Sequence, residues 1–170
     1  MSLLKNAVTE AQKTNQPVYV VLGANLTEIE KELLDVDVQL LYNEDWSKGI
    51  GTSIAMGVQV IRDLNPEAGG AIIMVCDQPY LNGDLLQQLI LTQDQTHKTI
   101  VVSKYADGGG TPALFDKKFF DLLVALKGDR GASQILKSNL ESIEYIRFDK
   151  GHIDLDTEEA YDQYLRATES

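Results

Sequence analysis

The chain has one cysteine in 170 residues, which excludes an intrachain disulfide and any zinc site built on cysteines. Positive charge is scarce: 15 Lys and Arg stand against 26 Asp and Glu, a formal net charge of −11. A nucleic-acid duplex or an anionic membrane would be repelled by that balance, so no nucleic acid and no membrane is expected as partner. An anionic small molecule is not excluded, because a divalent cation reverses the sign locally. No apolar run approaches membrane-spanning length, and no basic segment followed by an apolar one opens the chain; the expectation is a cytoplasmic protein. Also lacking are a Walker-type Gly-Lys-Ser/Thr loop, the third glycine of a dinucleotide fingerprint, and any Ser/His/Asp arrangement. His97 and His152 are isolated in polar contexts and read as surface residues.

What is present is the pattern of one α/β domain over residues 1–170, long enough for a full core. Apolar spacing predicts helices over residues 3–14, after residue 53, around residues 85–90, over 117–126 and 131–139, and a last one near Tyr161. Thr27-Glu28-Ile29-Glu30 has the spacing of a capping box opening a short helix. Strands are expected at residues 18–22, 38–41, 71–76, 99–102 and 143–148. Pro112 puts residues 111–115 at an edge or in a loop. Strands separated by helices imply a mainly parallel, helix-covered sheet with right-handed crossovers.

In such a sheet ligands bind outside the carboxyl ends of the strands. The apolar run 72–76 ends in Asp77, and Pro79 blocks its continuation. Asp77 is therefore a metal or ligand group, or a polar residue capping a loop. Cys76, inside the run, reads as a small buried hydrophobe. Gly23 ends the strand at 18–22, and Gly49-Ile50-Gly51-Thr52-Ser53 leads into a helix. Such glycines either admit a ligand to backbone N–H groups or form a plain turn and cap. Asp154 and Asp156 share a face if extended. They either converge with Asp77 on a cation such as Mg²⁺ or cap the final helix. Gly128-Asp129-Arg130-Gly131 reads as a cap through Asp129, with a phosphate contact through Arg130 as the alternative.

An ordered series joins these pieces. It runs Val20-Val21-Leu22-Gly23-Ala24, Asn43-x-x-Trp46-x-x-Gly49-x-Gly51-x-Ser53-x-x-x-Gly57 and Asp77-Gln78-Pro79. Gly110-x-Pro112-Ala113-Leu114-Phe115, Leu126-x-Gly128-Asp129-x-Gly131-Ala132 and Asp154-x-Asp156-Thr157-x-Glu159 complete it. The series resembles the molybdenum cofactor cytidylyltransferases of the MobA-like nucleotidyltransferase group. The resemblance implies a three-layer α/β/α, nucleotide-diphospho-sugar transferase (glycosyltransferase-A-like) fold. It implies Mg²⁺-dependent transfer of CMP from CTP to molybdopterin with release of pyrophosphate, and a recipient molybdoenzyme or its chaperone as a further partner. Asp77 would be the catalytic metal carboxylate, with Asp154 and Asp156 supplying the second. Gly23, Gly49, Gly51, Thr52 and Ser53 would hold the nucleotide, and Gly110, Thr111 and Pro112 the acceptor. A guanylyl-transferring relative and a non-catalytic domain of the same fold are the alternatives. The family's Leu-Ala-Ala-Gly-x-Ser-x-Arg-x-Gly-x-x-Lys loop has no counterpart in residues 1–170, and residues 3–8 match the helix after it. The resemblance thus implies a domain without its first βα unit, with weakened CTP binding and strands left unpaired or closed up across a gap.

Overall fold

The computed structural model describes residues 2–105 and 108–153. Helix α1 (Leu3–Gln12) starts at Ser2, whose side chain accepts from the Lys5 N–H at 3.1 Å, and buries Ala7, Val8 and Ala11. Asn15 at φ 55° turns the chain out of it. Strand β1 (Tyr19–Leu22), helix α2 (Leu26–Glu32) and strand β2 (Gln39–Tyr42) follow, with β1 and β2 parallel. Helix α3 (Ile50–Leu64) precedes strand β3 (Gly70–Ile73). Helix α4 (Gly83–Thr96) begins where the Asn82 side chain accepts from the Leu85 N–H at 2.9 Å. Strands β4 (Ile100–Tyr105) and β5 (Gly108–Asp116), short helices α5 (Phe120–Val124) and α6 (Ser133–Ser138) and strand β6 (Ile143–Arg147) complete the described order.

These strands form two sheets: β1-β2, and a four-stranded sheet in the order β3-β5-β4-β6. In the larger sheet β5 alone is reversed, antiparallel to both β3 and β4, while β4 and β6 are parallel. Side-chain alternation divides the layers. Ala71, Ile100, Val102, Ala113 and Phe115 face Val58, Phe120, Leu123 and Ile135 on α3, α5 and α6. Val101 and Leu114 face Ala11, Leu86 and Leu89 on α1 and α4. This is the three-layer α/β/α arrangement. Phe115 is fully buried at its centre, so truncation to Ala would cost about 3–5 kcal/mol.

Three local expectations are corrected. Residues 111–115 belong to β5, an internal strand of nine residues, not to an edge or loop. Pro112 is tolerated there because the β4–β5 register jumps from Val102↔Ala113 to Ser103↔Gly110, leaving Thr111 and Pro112 in an irregularity outside the ladder. The capping box at residues 27–30 does not form: α2 starts at Leu26, after Asn25 in the left-handed region with no side-chain cap. The apolar run ends as strand at Ile73, its side chains at 72–75 are only half-buried, and Cys76 is exposed. Among the described residues no strand pairs with β3 on that side, and an open trough lies there.

Candidate functional site

The carboxyl ends of β1 and β3 open into a cleft of about 650 Å³. Ser53 reaches it from α3, Cys76 and Asp77 from the end of the β3 run, Gly110 and Thr111 from β5, and Arg130 from the turn before α6. Asp77 and Arg130 bring opposite charges to this mouth, with Asp129 beside them, whereas the deeper lining is apolar. Loss of solvent around the sulfur against the cleft walls pushes the Cys76 thiol up, and the charge of Asp77 adds to this, which disfavours the thiolate.

Gln78 holds the mouth together. Its side chain is 5% exposed. Its Nε2 donates to the carbonyl of Thr111 at 3.1 Å, the carbonyl of Gly151 at 2.9 Å and the hydroxyl of Tyr105 at 3.1 Å. The end of β4, the irregular part of β5 and the turn after β6 are thereby tied to the residue after Asp77. Tyr105 in turn donates its hydroxyl to the Thr111 carbonyl. A Cβ at Gly151 would sit 2.3 Å from the Tyr105 ring, so only glycine fits that approach. Lys150 Nζ lies 4.2 Å from the Tyr80 ring, a second tie between the same segments.

The glycine-rich loop is built for a protein contact. Gly49 has φ 111°, and a Cβ there would lie 2.3 Å from the Gly128 carbonyl carbon. The Gly51 N–H donates to the Gly128 carbonyl at 2.8 Å. These glycines admit the turn that carries Arg130. Gly49 and Gly51 are buried, and of the expected nucleotide residues Ser53 alone lines the cleft. Thr52 and Ser53 are oriented by Asn43, whose Nδ2 donates to both hydroxyls at 2.9 Å. Gly23 stands outside the cleft lining, packed against Trp46, with which a Cβ would collide at 2.6 Å. Gly110 and Thr111 line the cleft, but Pro112 is fully buried behind them. The capping role read for Asp129 is not met: α6 has Ala132 at its N-cap and no side-chain cap, and Arg130 is turned to the cleft instead. Asp154 and Asp156 lie outside the described residues.

Asn43 and Gln78 stand inside the motif series without a role that spacing assigns, and no motif marks Tyr105. The available signal was a neutral amide directly after a strand-ending carboxylate.

The mouth offers oxygen donors: the carboxylates of Asp77 and Asp129 and the hydroxyls of Ser53 and Thr111. Among the described residues no three His, Cys, Asp or Glu gather into a closed cage. One or two carboxylates with open positions suit a hard divalent cation that keeps waters and takes phosphate oxygens. Among the described residues no helix is long and apolar enough to cross a membrane.

Residues 1–143 match the family model described as the MobA-like NTP transferase domain. The purine catabolism protein PucB of Bacillus subtilis is 32% identical over 127 residues, which is 73% of this chain and 60% of that protein. The aligned part thus spans about 60% of the length of that relative. The structure is similar to that of Rv0371c from Mycobacterium tuberculosis (TM-score 0.80, 23% identity, 96% of this chain and 84% of that one). Rv0371c has also been solved as a manganese complex, to which the likeness has a TM-score of 0.76 at 24% identity, over 99% of this chain and 87% of that one. A 4-diphosphocytidyl-2C-methyl-D-erythritol synthase from Anaerococcus prevotii aligns with TM-score 0.78 at 14% identity, over 100% of this chain and 87% of that one.

Proposed function

This chain belongs to the MobA-like NTP transferase family, and we propose that its cleft transfers CMP from CTP to the terminal phosphate of molybdopterin, releasing pyrophosphate. The carrying observation is convergence: Asp77, Ser53, Gly110, Thr111 and Arg130 come from four separate segments to one mouth at the carboxyl ends of the strands, where α/β sheets bind ligands.

In this reading an oxygen of the acceptor phosphate attacks the α-phosphorus, and the bond to the β-phosphate oxygen breaks as pyrophosphate departs. Such a displacement needs alignment and charge neutralisation rather than a side-chain nucleophile. A divalent cation such as Mg²⁺, held by Asp77, would supply neutralisation of the triphosphate when bound; manganese in the complex of Rv0371c supports a divalent ion. Asp154 and Asp156 are proposed as the second carboxylate source. Arg130, the one cation among the described residues lining the cleft, faces the phosphates and offsets the negative field of the chain. Ser53, held by Asn43, contacts the nucleotide, and the Gly110–Thr111 backbone, held by Gln78, presents the acceptor side. Gly23, Gly49, Gly51 and Thr52 act indirectly, by placing Trp46, the Arg130 turn and Ser53. The product would pass to a molybdoenzyme or its chaperone.

The test supplies CTP or GTP labelled at the α-phosphate, with molybdopterin and Mg²⁺, and follows label into the dinucleotide. Transfer from CTP in preference to GTP is expected. Transfer from GTP alone, or from neither nucleotide, overturns the reading.

A further inference from the structure

We propose that the indole of Trp46 is the platform on which the base of the bound nucleotide stacks. This rests on reading the cleft as a nucleotide site, but not on which base it takes. Trp46 is the one tryptophan of the chain. It opens a short turn of helix (Trp46–Lys48) after β2 and is 48% exposed. Ile50, also 48% exposed, lines the cleft, and Ser53 lines it three residues further on. A large apolar side chain left singly in water needs no explanation. Here two stand in one turn beside a polar mouth.

The turn is closed on itself. The Lys48 N–H donates to the Asp45 carbonyl at 2.9 Å, the Gly49 N–H to the Trp46 carbonyl at 3.1 Å, and the Thr52 N–H to the Gly49 carbonyl at 3.1 Å. Asn43 ties the two ends of this unit together. Its carbonyl accepts from the Trp46 N–H at 3.3 Å, while its side chain donates to the Ser53 hydroxyl at 2.9 Å. The indole is braced from below as well. A Cβ on Gly23 would lie 2.6 Å from Trp46 Cβ, 2.7 Å from Cγ and 3.2 Å from Cδ2. Glycine at the end of β1 therefore lets the root of the ring rest directly on the backbone, while half of the residue stays in water. A side chain already held in this way has little freedom left to lose when a ligand stacks on it.

The occupant that fits is a flat heteroaromatic ring carried by a polar ligand. Every nucleobase has a π-face, and stacking on an aromatic side chain strengthens binding whatever the base. In a chain of net charge −11 this contribution is uncharged, so the negative field does not oppose it. Trp46 shares its turn with the approach to Ser53 at the start of α3, whereas Gly110 and Thr111 reach the mouth from β5. That placement assigns the platform to the nucleobase and not to a ring of the acceptor.

The emission of the single tryptophan reads this contact without any substitution. The whole chain is titrated with CTP, with GTP and with inorganic tripolyphosphate, each with Mg²⁺, by calorimetry and by fluorescence. Loss of emission is expected with the nucleotide that binds, and none with tripolyphosphate. Trp46→Leu, with folding checked by circular dichroism, is expected to weaken that nucleotide about tenfold and to leave tripolyphosphate unchanged. Trp46→Phe, which keeps a π-face, is expected to recover most of the loss. Gly23→Ala, whose Cβ displaces the indole, serves if Trp46→Leu does not fold. Calorimetric binding of a nucleotide with unchanged emission, equal loss of emission with tripolyphosphate, or unweakened binding in the folded variant overturns the platform and leaves the nucleotide reading standing. Binding of neither nucleotide overturns both. Loss of emission with a free pterin and not with either nucleotide overturns the proposal in favour of the acceptor.

Discussion

Gln78 is a neutral side chain that fixes where a charged neighbour points. Its amide nitrogen faces two carbonyls and a hydroxyl from three segments, and a buried carbonyl stripped of its donor costs about 1–3 kcal/mol. Gln78→Leu keeps the bulk and removes the donors. It is expected to lower stability by about 2 kcal/mol in urea unfolding and to weaken nucleotide binding as well. A stability within a few tenths of wild type would show that the clamp is not required. Glu10 offers a pH-dependent counterpart. Partial burial pushes its carboxyl up, but the hydrogen bonds from Lys13 and from the Gly83 N–H, with the Lys13 charge, outweigh that and hold it below its ordinary value. A carboxylate whose folded value is lowered adds stability that is complete above the unfolded value and disappears as pH falls through the folded one. Glu10→Gln is therefore expected to cost about 1 kcal/mol near neutrality and almost nothing at low pH, the difference closing below about pH 4.5. Thermal melts of both proteins across that window check it, and a difference independent of pH would refute the ionic role.

At the scale of elements, the amphipathic helices and β-branched strands were legible because their patterns are local. Asn82 caps α4, its side chain accepting from the Leu85 N–H. What escaped depended on contacts between distant segments. β5 carries three glycines and a proline at its start, the composition of a loop, and becomes a strand because β3 and β4 pair with it from both sides. The glycines before α3 read equally as ligand contacts or turn residues, and the reason for them lies nearly eighty residues on, at Gly128. Cys76 looked buried because the run around it is apolar, but the trough leaves it exposed. Gly49→Ala tests the loop account. A Cβ at φ 111° and 2.3 Å from the Gly128 backbone must displace the turn that carries Arg130. The expected loss is about 2–4 kcal/mol in stability, with shifted Arg130 and Gly131 amide resonances. An unperturbed variant would mean that the two turns are not packed as described.

For the whole molecule, the apolar run 72–76 and Pro79 point to Asp77 beyond the carboxyl end of a strand, and the fold sets Ser53, Thr111 and Arg130 around the same mouth. Spacing alone did not reveal that Arg130 belongs there, since a turn residue shows which way it points only once the helix after it is in place. The two-sheet arrangement separates a polar mouth from an apolar channel, and the proposed chemistry needs only the mouth. In a chain of net charge −11, a nucleoside triphosphate gains little from the surrounding field and depends on the cation beside Asp77. Calorimetric titration of the chain and of Asp77→Ala with CTP, in Mg²⁺ and in EDTA, measures that dependence directly. The account predicts saturable binding, millimolar or tighter, that requires Mg²⁺ and weakens about tenfold or more in a variant with unchanged circular dichroism. Binding equally tight in Asp77→Ala, or equally tight without the divalent ion, would contradict it.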